Sequence, residues 1–98
     1  LNEPRALALD PPNGYMYWTV WGDNPTLERA HLDGTNRKVL IAHIGHAQDL
    51  TIDYLERRLY WTDVDNHSIM SADMNGADMR LVVQSDIEQP MGLSQYQD

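Results

Sequence analysis

Ninety-eight residues, 42% of them hydrophobic, suit one small folded domain and exclude the apolar-poor signature of disorder. The formal net charge is -8, and the seven basic residues lie scattered with no run longer than two, which argues against phosphate neutralisation and favours a basic protein partner. No apolar run approaches the roughly 20 residues that span a bilayer, the start Leu1-Asn-Glu-Pro4 has no signal-peptide pattern, and cysteine is absent, so thiolate and disulfide chemistry do not enter.

In chain order the apolar pattern is short-range, in runs of about five residues, the usual strand length. The first half predicts strands over 5–9, 15–19, 27–32 and 38–42. The second predicts strands over 49–52, 58–62, 68–74 and 80–83, and 92–95 begins a ninth. Pro11-Pro-Asn-Gly14, Asp33-Gly34 and Asn75-Gly76 separate the runs, and such dipeptides tolerate positive φ and favour tight antiparallel hairpins. Every connection is too short for a parallel crossover helix, so each half is expected to form a four-stranded antiparallel sheet.

The two halves are copies of one unit. Tyr17-Trp18-Thr19 returns as Tyr60-Trp61-Thr62, 43 residues on. Ala6-Leu-Ala-Leu-Asp10 precedes the first copy as Asp49-Leu-Thr-Ile-Asp53 precedes the second. Leu27-Glu-Arg-Ala-His-Leu-Asp-Gly34 returns as Ile69-Met-Ser-Ala-Asp-Met-Asn-Gly76, and Met91-Gly-Leu-Ser-Gln-Tyr96 starts the unit a third time. A period of about 40–45 residues with several short strands per unit marks propeller blades. The expected division is 1–46 for blade one, 47–89 for blade two, and 90–98 for the first strand of a further blade. Leu7-Ala-Leu9, Tyr15-Met-Tyr-Trp18 and Leu59-Tyr-Trp61 put apolar groups on both sheet faces, as blades covered on both sides require. Two blades have one internal interface, so the outer faces call for further blades of a longer chain or for self-association. The 98 residues alone are not expected to form a stable monomer.

Candidate chemistry is sparse. Tyr17, Trp18, Tyr60 and Trp61 are expected to fill the space between sheets. Trp21 lies past the second strand in a predicted loop, and its repeat partner is Val64, so packing symmetry demands no indole there. Beside Asp23 it is a contact candidate, with a ring lying flat on its own loop as the alternative. Asp63-Val-Asp65-Asn66 opens like a calcium loop but lacks the following Gly and distal Glu, and His43 and His46 lack a third zinc ligand. No metal or other cofactor is expected. The carboxylates occupy periodic positions (Asp10 with Asp53, Asp33 with Asn75), and no Ser or Cys sits in a nucleophile elbow, so no enzyme is expected. Asn66-His-Ser68 is an N-glycosylation sequon in a predicted loop.

Tyr60-Trp-Thr-Asp63 in this context, an aliphatic-Asp strand before it and Leu27-Glu-Arg-Ala-His-Leu-Asp-Gly34 in the preceding copy, resembles the YWTD β-propellers of the low-density lipoprotein receptor family. The stretches 3–19, 50–54, 57–63 and 92–98 are most similar to the Wnt co-receptor, arrow-like branch, and within it to the third of four propellers. The resemblance implies an all-β chain: two four-stranded antiparallel blades, plus a ninth strand, of a six-bladed propeller. It implies a membrane receptor's ectodomain, hence an extracellular module whose top face takes secreted ligands, Wnt proteins or antagonists such as Dickkopf. Carried over by position, contacts would come from Arg5, His46, Gln48, Gln89 and Met91 entering first strands, and from Trp21, Asp23 and Asp65 after second strands. Val20 stands where the motif's Asp would be, so any contact that Asp makes between blades is expected to be missing in blade one. His46 replaces what is usually Arg, Gln48 what is usually Asn, and Met91 what is often an aromatic. The alternative is a matrix propeller of the nidogen type holding a laminin-like partner. Ring closure would come from the remaining blades or from three two-blade chains.

Overall fold

The computed structural model describes residues 3–84. Eight strands follow in order: β1 (Glu3–Asp10), β2 (Tyr15–Trp21), β3 (Thr26–His31), β4 (Lys38–Ala42), β5 (Ala47–Asp53), β6 (Arg58–Asp63), β7 (Ser68–Asp73) and β8 (Arg80–Gln84). They form two four-stranded antiparallel sheets, β1-β2-β3-β4 and β5-β6-β7-β8, each paired in sequence order. Among the described residues helix is confined to one 3-10 turn, Pro11–Asn13. The chain thus forms the two four-stranded antiparallel blades that the repeat predicts. The strand predicted over 92–95, with Gln89 and Met91, lies outside the described residues.

Strand ends depart from expectation where side chains extend the ladder. β2 runs through Trp21, because Val20 and Trp21 still pair with Pro4 and Glu3. Trp21 is therefore a strand-end residue, not a loop residue. Both first strands carry a bulge, between Pro4 and Ala6 and between Ala47 and Leu50. A bulge leaves a backbone amide without a ladder partner, and the motif threonine supplies one. Ala6 N–H donates to Thr19 Oγ1 (3.2 Å), and Asp49 N–H donates to Thr62 Oγ1 (3.0 Å).

The sheets pack with opposite motif faces together. Side chains alternate across a strand, so Tyr17 and Trp18 point to opposite faces. Sheet one presents Ala6, Ala8, Tyr17, Leu27 and Ile41 to the core. Sheet two answers with Leu50, Ile52, Leu59, Trp61 and Ala72. Tyr17 and Trp61 are both 0% exposed, whereas Trp18 and Tyr60 are only partly buried. The expectation that all four aromatics fill the core is corrected accordingly: in each blade one ring of the pair faces the blade beside it and the other faces away. Leu7, Trp18 and Val39 share the outer face of sheet one through the pairings Leu7–Trp18, Trp18–Glu28 and Glu28–Val39. The turn between β7 and β8 presses on sheet one at Gly76, where φ is 85° and a Cβ would lie 2.9 Å from Leu40 O. Glycine is required there on both counts.

Candidate functional site

At the end of the sheets where β1 begins and β2 ends, four sequence-selected residues form one continuous row. The Arg5 guanidinium stacks over the Trp21 ring at 4.3 Å from its centroid. The Trp21 ring meets the His46 ring edge-on at 5.0 Å between centroids. His46 Nδ1 lies 2.8 Å from Asp65 Oδ2, and the His46 backbone N–H donates to the same oxygen at 3.0 Å. Arg5 enters β1, Trp21 ends β2, His46 precedes β5, and Asp65 sits between β6 and β7. Distant segments of both blades therefore build one surface of cation, indole, imidazole and carboxylate.

Each member is held from below. The Trp21 indole N–H donates to Ala47 O of the second blade at 2.7 Å, so the ring bridges the blades and does not lie flat on a loop. Thr19 Oγ1 donates to the same carbonyl at 3.4 Å. His46 is carried over the second blade by Gly45, whose φ is 81° and whose Cβ, if present, would lie 2.8 Å from Asp63 Oδ2. Asp63, the motif carboxylate, is 5% exposed. It accepts the Asp65 and Asn66 backbone amides and the Asn66 side-chain amide. The motif Asp thus organises its own β6–β7 loop by these bonds, and the expected contact between blades is not among them. Val20 at the matching place in blade one is buried and apolar. Burial opposes ionisation of Asp65, but the hydrogen bonds from His46 and its charge outweigh that and hold the carboxyl below its ordinary value of 3.8.

Asp23 and Gln48 are exposed and stand outside the row of contacts. Asn66 is exposed between β6 and β7, with its amide nitrogen donating to Asp63 Oδ2 at 2.8 Å. Among the described residues no group of three His, Asp or Glu side chains is placed to hold a metal ion. The sequence reading overlooked the polar seam at the other end of the sheets. There Asp10, 0% exposed, pairs with Arg57 Nη2 at 3.0 Å, and Arg29 Nη1 donates to Met74 O at 3.0 Å. A signal was present: Arg57 takes the place of Gly14 in the repeat, an unusual exchange at a turn.

The low-density lipoprotein receptor repeat class B family matches residues 14–54 and 57–93. The match begins at β2 of one blade and runs into β5 of the next, so sequence repeat and sheet are out of phase by one strand. The chain is 52% identical over 78 residues to low-density lipoprotein receptor-related protein 5 of Homo sapiens, covering 80% of this chain and 5% of that protein. It is 34% identical over 98 residues to the vitellogenin receptor of Solenopsis invicta, covering 99% of this chain and 6% of that protein. Among solved structures, a chain of a nidogen/laminin complex superposes with a TM-score of 0.78 at 27% identity, covering 86% of this chain and 32% of that one.

Proposed function

This chain belongs to the low-density lipoprotein receptor repeat class B family, and from that membership we propose that it is a non-catalytic, extracellular part of a receptor propeller that binds a secreted protein through the Arg5–Trp21–His46–Asp65 row. The observation that carries the reading is the row itself. Residues at the starts of first strands and at or past the ends of second strands come together at contact distance across two blades. A rigid aromatic held between a guanidinium and an imidazole, with a carboxylate beyond the imidazole, is the composition of an interface anchor. Asp23 and Gln48 would form its polar rim, and Gln89 and Met91 are proposed contacts beside them. The 52% identity to low-density lipoprotein receptor-related protein 5 supports ligands of the Wnt or Dickkopf kind, and the net charge of -8 suits a basic partner.

The test is titration of the intact propeller that carries this chain with a Wnt-type or Dickkopf-like ligand. Trp21→Ala should cost about 2 kcal/mol of affinity, the hot-spot scale, and Asp23→Ala a few tenths at most. Unchanged affinity in a folded Trp21→Ala propeller overturns the assignment. Asn66 is our proposed glycan acceptor. Its amide must leave Asp63 to be modified, so intact mass with and without glycosidase is expected to show partial occupancy. The nidogen-type matrix reading rests on the superposition onto the nidogen/laminin complex. It predicts laminin binding in the same assay, and the lower identity of 27% places it second.

A further inference from the structure

A crevice of about 390 Å³ lies between the two blades at the end opposite the Trp21 row, walled by Tyr17 and Arg29 of sheet one and by Arg57, Asp73 and Asn75 on the side of sheet two. Both walls belong to the described residues of this chain. Among the described residues, one hydroxyl in it lacks a hydrogen-bond partner and one guanidinium lacks an ion-pair partner. The Tyr17 hydroxyl belongs to a residue 0% exposed and has no hydrogen-bond partner among the described residues. Arg29 stacks on Tyr15 at 4.3 Å and donates through Nη1 to Met74 O and Asn75 Oδ1, all neutral groups, and among the described residues no carboxylate pairs with it. Arg57 in the same wall is already paired with Asp10.

We propose that this crevice is a carboxylate-binding site, in which the Tyr17 hydroxyl and the Arg29 guanidinium donate to one carboxylate group. The donors decide the chemistry. A phenol proton and a guanidinium facing the same space call for an acceptor-only anion, and a guanidinium fork matches the two oxygens of a carboxylate. Burial raises the Tyr17 hydroxyl above its ordinary value of 10.0 against the opposing pull of Arg29, so it remains a donor at neutral pH. The charge in the walls selects a singly charged group over phosphate. Asp10 pairs with Arg57, so among the described residues Arg29 is the one cation of the lining without an ion pair, and the Asp73 carboxylate in the same lining would repel a second negative charge. Water could satisfy the hydroxyl but would leave Arg29 unneutralised. The carboxylate could be a free small acid or an acidic side chain of a polypeptide, and the two arms below separate these.

The intact protein carrying this chain is titrated with acetate in one arm and with a blocked Gly-Asp-Gly peptide in the other, followed by calorimetry and by the arginine Nε–H resonances in NMR. Acetate should saturate with a dissociation constant on the order of 1–10 mM, the scale for a handful of heavy atoms. Tighter binding of the peptide by tenfold or more identifies a polypeptide side chain as the source, and equal binding identifies a small acid. Tyr17→Phe keeps the ring and removes the donor, and it should weaken either probe at least tenfold. The same variant should melt no lower than the parent in the absence of ligand, because it deletes a buried orphan hydroxyl. Arg29→Gln should abolish binding; if it also loosens the Met74 contact, Tyr17→Phe remains decisive. Absence of saturable binding by both probes, or binding unchanged in Tyr17→Phe, overturns the site and leaves the crevice to water. Neither result bears on the Trp21 row, which stands or falls on the protein-ligand titration.

Discussion

Gly14 of the first blade and Arg57 of the second occupy the same place in the repeat, and both hold left-handed backbone, with φ of 73° and 58°. The turn geometry is inherited by position. The side chain is not: blade one keeps the glycine that the conformation favours, and blade two accepts backbone strain to place a cation against buried Asp10 of its neighbour. Asp53, the repeat partner of Asp10, turns instead to its own loop, accepting the Leu55 and Glu56 amides at 3.0 Å each. Trp18 and Trp61 show the same division, identical residues at equivalent places with the first partly exposed and the second fully buried. A repeat therefore fixes local conformation, while the neighbouring blade decides what each side chain experiences.

The comparison can be pressed by mutation, and the largest expected effect is at the core. Trp61→Ala should cost about 3–5 kcal/mol of unfolding free energy, the range for a buried aromatic, and Trp18→Ala less than half of that wherever the outer face of sheet one is left uncovered. Denaturant unfolding of both variants measures the gap. Equal costs would mean that the outer face of sheet one is covered in solution.

Next in size is the seam. Arg57→Ala leaves Asp10 buried without its counter-charge and should destabilise by about 2–3 kcal/mol, below the fully buried range because Arg57 is itself 43% exposed. Arg57→Gly should be milder by about 1 kcal/mol, since it restores the residue that blade one uses at this φ. If glycine is no better than alanine, the strain assigned to Arg57 is absent.

Smaller again is the bulge threonine. Thr19→Val and Thr62→Val each strand a bulge amide, at about 1–2 kcal/mol. Thr19 should be the costlier, because its hydroxyl also donates to Ala47 O across the blades. Thermal melts of the pair would show equal losses if that inter-blade bond contributes nothing.

The smallest effect is acid sensitivity at the row. Blade two has Asp65 where blade one has Gly22, so only blade two carries this bridge. The Asp65 carboxyl is held below its ordinary value of 3.8. A depressed carboxylate contributes its stability above that value and loses it as pH falls through the lower folded value. Acidification below pH 3.8 should therefore release His46 from Asp65, visible as a shift of the His46 ring resonances, and Asp65→Asn should remove that step.

Much of the fold was legible because its signals are local. Alternating apolar runs and Gly-containing turns place all eight described strands to within two residues, and β4 coincides with its expected range. The candidate site was legible in part. Trp21 stood out from its repeat partner Val64, while Arg5, His46 and Asp65 were carried over by position from the family resemblance, and the four do meet. Their order of contact was not readable, because it depends on how β1, β2 and the β4–β5 and β6–β7 loops of two sheets converge. Arg29 and Arg57 escaped notice for the same reason, since their partners lie 45 to 47 residues away and on the other blade.

The sequence by itself determined the period, the strand count per blade, the turns and the antiparallel pairing, all consequences of forces acting within a few residues. Only the tertiary structure decided which face of each sheet is covered, that Tyr17 and Trp61 are the rings in the core, and that Trp21 is fastened to the second blade. Two identical motifs have identical backbones but different neighbours. Burial, ion pairing and orphaned donors are properties of neighbours, and for a repeat chain these are set by the packing of one sheet on the next.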